Sequence, residues 1–109
     1  MQNCIFCKII NHEIDSKLLY EDDKVVALND IHPQAPTHIL IVPKKHIKEF
    51  FELKDEDNDT LIAIKNAIIK LIDQNNLHNR GYKIEINGGG RQDIDHLHFH
   101  LMSSASQPQ

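Results

Sequence analysis

Three histidines alternate with apolar residues in His96-Leu97-His98-Phe99-His100-Leu101-Met102. Imidazoles in such a row can do nucleophilic, acid–base or metal chemistry near pH 7. Strict alternation is the signature of a strand with two unlike faces. Leu97, Phe99 and Leu101 are expected to face a core. His96, His98 and His100 are expected to line the other face, ~6.5–7 Å apart at Cα for a rise of ~3.3 Å per residue. Immediately upstream runs Asn87-Gly88-Gly89-Gly90-Arg91-Gln92-Asp93-Ile94-Asp95. A glycine-rich turn ahead of a histidine strand does little for stability, but it can gather N–H groups and imidazoles around an anion. The competing reading is a metal-binding strand, because His-x-His pairs on strands also ligate metals.

Cys4 and Cys7 form a C-x-x-C pair at the start of the chain. Their neighbourhood shows no positive region followed by an apolar run, so no secretory signal is expected and the compartment is expected to be the cytoplasm. A disulfide is not expected there. A thioredoxin-like redox pair would sit between a strand and a helix of a βαβ unit. This pair precedes every such element, which leaves metal binding or two inert thiols.

The elements that must position these groups can be read from apolar spacing. Residues 4–11 place Ile5, Phe6, Ile9 and Ile10 at helical intervals and predict a short N-terminal helix. Leu18–Tyr20 and Lys24–Leu28 flank the acidic turn Glu21-Asp22-Asp23 and predict a hairpin. Asn29 to Pro36, with two prolines, predicts an ordered loop. Thr37–Val42 predicts a strand stopped by Pro43. Asp55–Leu77 predicts the one long helix, with Leu61, Ile64, Ile68, Leu71 and Ile72 at 3/4 spacing, an acidic first turn and Gly81 as terminator. Tyr82–Ile86 alternates and predicts a strand. Short links between strands favour an antiparallel sheet of about five strands with one packed helix, an α+β fold.

With 109 residues, one domain over 1–109 is expected. Hydrophobic content of 40% and charged content of 26% fit an ordinary globular chain. No apolar run approaches the ~18 residues of a membrane span. A net charge of −4 argues against non-specific nucleic-acid binding, which needs a basic face. His12, His32 and His78 read as surface residues, and His38, inside an apolar run, as buried and hydrogen-bonded.

These residues resemble the histidine triad (HIT) superfamily, whose motif is His-x-His-x-His-x-x with apolar x, here His96 to Met102. The chain looks closest to the Hint branch, the nucleoside phosphoramidases. Asn29-Asp30-Ile31-His32-Pro33-Gln34-Ala35-Pro36-Thr37-His38 is similar to the family's ribose-contacting loop. Val42-Pro43-Lys44-Lys45-His46-Ile47 resembles its next segment, and Cys4 to Ile10 the N-terminal segment of many bacterial members. The similarity spans about residues 4 to 102.

The resemblance implies hydrolysis or transfer at the α-phosphate of a purine nucleoside 5′-monophosphate conjugate, through a nucleotidyl-histidine intermediate. His98 would be the nucleophile, the His96 carbonyl would orient it, and His100 would donate to a phosphate oxygen. Asp30 would hold the ribose hydroxyls, although from its loop position alone a turn-capping Asp is the plainer reading. Ile5, Phe6, Ile9, Leu28 and Ile31 would form the base slot. Asn87, Gly90 and Gln92 would lie on the phosphate side. Some HIT relatives hold zinc with residues that correspond to Cys4, Cys7, His46 and His96, which implies a structural Zn²⁺. A homodimer is implied as well, with no nucleic acid and no membrane. The alternatives are a dinucleoside polyphosphate hydrolase of the same superfamily and a non-catalytic nucleotide or metal regulator. The chain departs from the family at Asp93, where a small hydroxyl residue is usual, and in a shorter Asn87–His96 turn. Both changes touch the leaving-group side.

Overall fold

The most buried strand shows how the layers form. Residues Thr37–Pro43 make strand β3, and all seven are buried. Ile39 and Ile41 point to one face, where they join Val25, Ala27, Leu101 and the helix residues Ile64, Ala67, Ile68 and Leu71. Leu40 and Val42 point to the other, where they meet Val26, Leu28, Phe6 and Ile9. A strand covered on both faces has to be apolar at every interior position, which is why His-Ile-Leu-Ile-Val shows no alternation. Each such side chain contributes about 1.5–3 kcal/mol by leaving water.

The computed structural model describes residues 4–108. In chain order its elements are α1 (Ile5–Ile10), β1 (Tyr20–Glu21), β2 (Val25–Asn29), β3, α2 (Asn58–Gln74), β4 (Lys83–Ile86) and β5 (Phe99–Ser103). The five strands form one antiparallel sheet in the order β1-β2-β3-β5-β4. The long helix α2 covers one face and the short α1 seals part of the other, so the fold is α+β, as the spacing predicts.

Three expectations need correction. The helix was expected over Asp55–Leu77, but Asp55–Asp57 form a 3₁₀ turn and α2 proper runs Asn58–Gln74. Its terminator is Asn76, at φ +55, rather than Gly81. Asn75 Nδ2 caps the Leu71 carbonyl at 2.8 Å, and the Leu77 N–H returns to Ile72 at 2.9 Å, so the chain turns before it reaches the glycine. Third, the histidine strand is shorter than its alternation: β5 begins at Phe99, and His96 to His98 lie ahead of the ladder.

The start of α2 is fastened to the loop after β3. Asp57 is 3% exposed. It accepts the Lys54 N–H at 3.0 Å and an ion pair from Lys45 Nζ at 2.6 Å. The Lys45 ammonium, then the Lys54 N–H, hold its carboxyl below the usual range. A carboxyl lowered by folding lends stability above its unfolded value of about 3.9, and that stability fades as pH falls through the folded value. Asp57→Asn is therefore expected to lower the urea midpoint at pH 7, with the gap to wild type closing below about pH 4. Urea titrations at both pH values check this.

Candidate active site

His96 to His98 leave the ladder because they are anchored elsewhere. The Leu97 N–H donates to the Ile47 carbonyl at 2.6 Å. His96 Nε2 lies 2.8 Å from the Pro43 carbonyl oxygen, and His98 Nδ1 lies 2.7 Å from the His96 carbonyl oxygen. A carbonyl only accepts, so each of these ring nitrogens carries the proton. Two consequences follow. His96 presents a bare Nδ1, and His98 presents a bare Nε2. Burial, the largest influence, pushes His96 down to about 4, so it is neutral at pH 7. Phe6 packs against both rings, with centroids 5.7 Å from His96 and 5.2 Å from His98.

The histidine face is roofed by α1. His96 and His98 are buried at 0% and 6% exposure, because α1 lies over them. Beneath that roof is a cavity of about 280 Å³. Of the residues implied by the resemblance, it brings together Ile5, Phe6, Ile9, Leu28, Asp30, Ile31, Asn87, Asp93, His98 and His100. His96, Gly90 and Gln92 are not among its lining residues. Asp30 Oδ1 accepts the His32 N–H at 2.9 Å, capping the loop, and the residue also lines the cavity. Ile31 is 81% exposed, so it forms the rim of the apolar slot rather than its floor. His12, His32 and His78 are exposed and His38 is buried, as read from the sequence.

The lining also holds Glu85, Leu40, Gln34, His32 and Ile94, which sequence reasoning missed. For Glu85 a signal existed. It alternates with Ile84 and Ile86, so it had to lie on the face opposite them. That this is the histidine face follows from the register, in which Glu85 sits beside His100. Glu49 was missed altogether. Its Oε1 accepts the Gly89 N–H at 2.9 Å, and a Cβ on Gly88 would meet that same oxygen at 2.9 Å. Gly89 and Gly90 have φ of +63 and +94, which completes a turn that only glycine fits easily. Burial, then His98 and His38, push His100 down. The buried Nε2 atoms of His100 and Gln92 have no partner among the described residues.

On the other side of His96 lies a second cluster. Its bare Nδ1 is 3.2 Å from Cys4 Sγ and 3.6 Å from Cys7 Sγ, and His46 Nδ1 is 3.2 Å from Cys7 Sγ. The four ligand atoms all lie within 4.8 Å of one another. Tetrahedral zinc, with bonds of about 2.0–2.3 Å, sets neighbouring ligand atoms about 3.5 Å apart, so this cluster could hold a structural metal such as zinc. Burial, then Cys4, push the Cys7 thiol up to about 11, and a bound cation reverses that preference.

Residues 3–109 match the family model described as scavenger mRNA decapping enzyme C-term binding. A HIT-like protein of Methanocaldococcus jannaschii is 41% identical over 102 residues, covering 91% of this chain and 77% of that one. The purine nucleoside phosphoramidase of Escherichia coli is 38% identical over 103 residues, covering 93% and 87%. A solved histidine triad protein from Clostridium difficile superposes with a TM-score of 0.89 at 40% identity, covering 100% and 96% of the two chains. A HIT family hydrolase from Clostridium thermocellum gives 0.90 at 38%, with the same coverage. The chain belongs to the histidine triad superfamily, as a hydrolase of that family.

Proposed function

We propose that this protein cleaves the P–N bond of purine nucleoside 5′-monophosphate amidates, the AMP–amine type, through a nucleotide carried on His98. The observation that carries this reading is the bare Nε2 of His98, held by the His96 carbonyl inside a cavity that also contains Asp30. Nε2 bonds to the α-phosphorus as the P–N bond breaks and the amine departs with a proton from solvent; water then cleaves the P–Nε2 bond, releasing the nucleoside monophosphate and free His98. Asp30 accepts from the ribose hydroxyls. The apolar slot of Ile5, Phe6, Ile9, Leu28 and Ile31 takes the base. His100 and Asn87 donate to the phosphoryl oxygens as charge develops. Gly90 and Gln92 belong to the same turn as Asn87, on the phosphate side. The E. coli relative, named for this activity, supports the assignment.

The cavity's charge favours an amidate over a dinucleoside polyphosphate. Asp30, Glu85 and Asp93 line it, and no lysine or arginine does. An amidate brings one negative charge at phosphorus, whereas a polyphosphate brings several to the same carboxylates. Each unscreened like-charge contact costs roughly 1–4 kcal/mol. AMP–amine and GMP–amine substrates are expected to exceed diadenosine polyphosphates in kcat/KM by about tenfold or more. His98→Ala is expected to lower kcat at least about 10³-fold, and quenched wild type to carry one nucleotidyl group. Near-normal turnover by His98→Ala would refute the mechanism. Binding of AMP with no turnover of any of these substrates would instead favour the regulator reading.

Zinc is assigned to Cys4, Cys7, His46 and His96, supported by ligand spacing and by a His96 tautomer that turns Nδ1 to the thiols. When bound it would be structural, tying the start of α1 to the segment that carries His98. The cytoplasm suits it, since a reducing compartment keeps both thiols available. Protein purified without added zinc is expected to hold one metal per chain, and Cys4→Ser to lower the melting temperature. A stoichiometry far below one, with no change in melting, would remove the metal.

A homodimer is assigned to the outer face of α2 and the edge strand β4. Ile62 and Ile69 are 52% and 55% exposed on the helix, and Ile84 is 47% exposed on the edge. An unpaired edge strand beside such side chains is a template for another copy. Light scattering is expected to give twice 12.6 kDa, and Ile69→Glu to shift it toward the single chain. A single-chain mass for wild type would refute the dimer.

A further inference from the structure

His38 performs none of the steps above, yet its position decides what His100 can do. Its side chain is 1% exposed, on β3 beside β5, and it does not line the cavity. The Gln34 backbone N–H donates to His38 Nδ1 at 3.0 Å. A backbone N–H only donates, so Nδ1 holds a lone pair and the ring proton of His38 is on Nε2. That Nε2 lies 2.8 Å from His100 Nδ1 and 3.5 Å from Asp30 Oδ2. His100 Nδ1 must therefore accept, because a proton there would face the His38 proton head to head. The remaining His100 proton is on Nε2, a buried atom with no partner among the described residues. Asp30, His38 and His100 are close enough together to suggest a cation site, but a proton already fills the gap between the two rings.

We propose that His38 is a positioning residue, fixing His100 in the Nε2–H form and so aiming a hydrogen-bond donor at the substrate's phosphoryl oxygen. Asp30 assists: its carboxylate lies beside the His38 proton and favours the same tautomer. The residue assigned to the ribose thus also backs the donor assigned to the phosphate. The tautomer follows from the protein's own hydrogen bonds. What the donor contacts rests on the proposed function.

Nitrogen-15 NMR of the imidazoles, on substrate-free protein, reads the tautomer directly, with the His100 signals assigned by their loss in His100→Asn. Wild type is expected to show His100 protonated on Nε2 and bare on Nδ1. His38→Gln places an amide N–H near the former Nε2 and is expected to keep that pattern. His38→Leu is expected to mix the tautomers. On an AMP–amine substrate, His38→Leu is expected to lower kcat about 10- to 100-fold, the size seen when the outer partner of a functional histidine is lost. KM should stay within about threefold, and His38→Gln should recover most of the rate. A wild-type His100 protonated on Nδ1 would overturn the proposal, as would equal kcat for wild type and His38→Leu. If His38→Leu does not fold, the wild-type spectrum and His38→Gln still decide. Loss of turnover in wild type would count against the proposed function while leaving the tautomer result intact.

Discussion

The hydrogen bond from His98 Nδ1 to the His96 carbonyl, at 2.7 Å, is the contact on which the site depends. It can form only because residues 96–98 are free of the sheet ladder. Their own polar groups are satisfied by the loop after β3: the Ile47 carbonyl takes the Leu97 N–H, and the Pro43 carbonyl takes His96 Nε2. A regular strand would have committed the His96 carbonyl to a neighbouring strand. One short departure from regular pairing thus sets both ring tautomers and leaves a bare nitrogen on each ring.

The sheet divides the labour between its faces. α2 covers one face, where the larger of the two apolar clusters lies, so stability is concentrated away from the cavity. The other face carries only the short α1, which leaves room for a 280 Å³ cavity between it and the histidines. Six helical residues are too few to hold themselves in place. Phe6 and Ile9 hold α1 on one side, and the Cys4–Cys7 cluster, against His46 and His96, holds it on the other. The roof of the cavity is therefore fastened by the same histidine whose carbonyl orients His98.

Much of this was legible in the sequence, for identifiable reasons. The periodicity of residues 58–74, the apolar run of β3 and the alternation around His100 are local patterns, and local patterns gave the elements. The Cys4, Cys7, His46 and His96 cluster, 92 positions from end to end, became visible through family resemblance and not through spacing. The strand at His96–His98 was misread because alternation reports side-chain direction and not backbone pairing. Helix termination at Asn76 was misread because Asn reaches a positive φ nearly as readily as glycine when its neighbours cap the last carbonyls. Glu49 and His38 act across the fold, and nothing beside them in the chain marks their partners.

The cavity's electrostatics close the account. Its lining contains three carboxylates and no cation, yet the chemistry assigned to it develops negative charge on phosphorus oxygens. Burial pushes both His96 and His100 toward the neutral form. The donors among its lining residues include neutral N–H groups of His100 and Asn87, while the Gly89 N–H is taken by Glu49. Dipoles already pointed at the site need no reorganisation when charge appears, and they do not trap the product as a fixed cation would. This suits the proposed reaction, which would release an anionic monophosphate after each turnover. It also explains why so many of the contacts found here serve to orient protons rather than to pair charges.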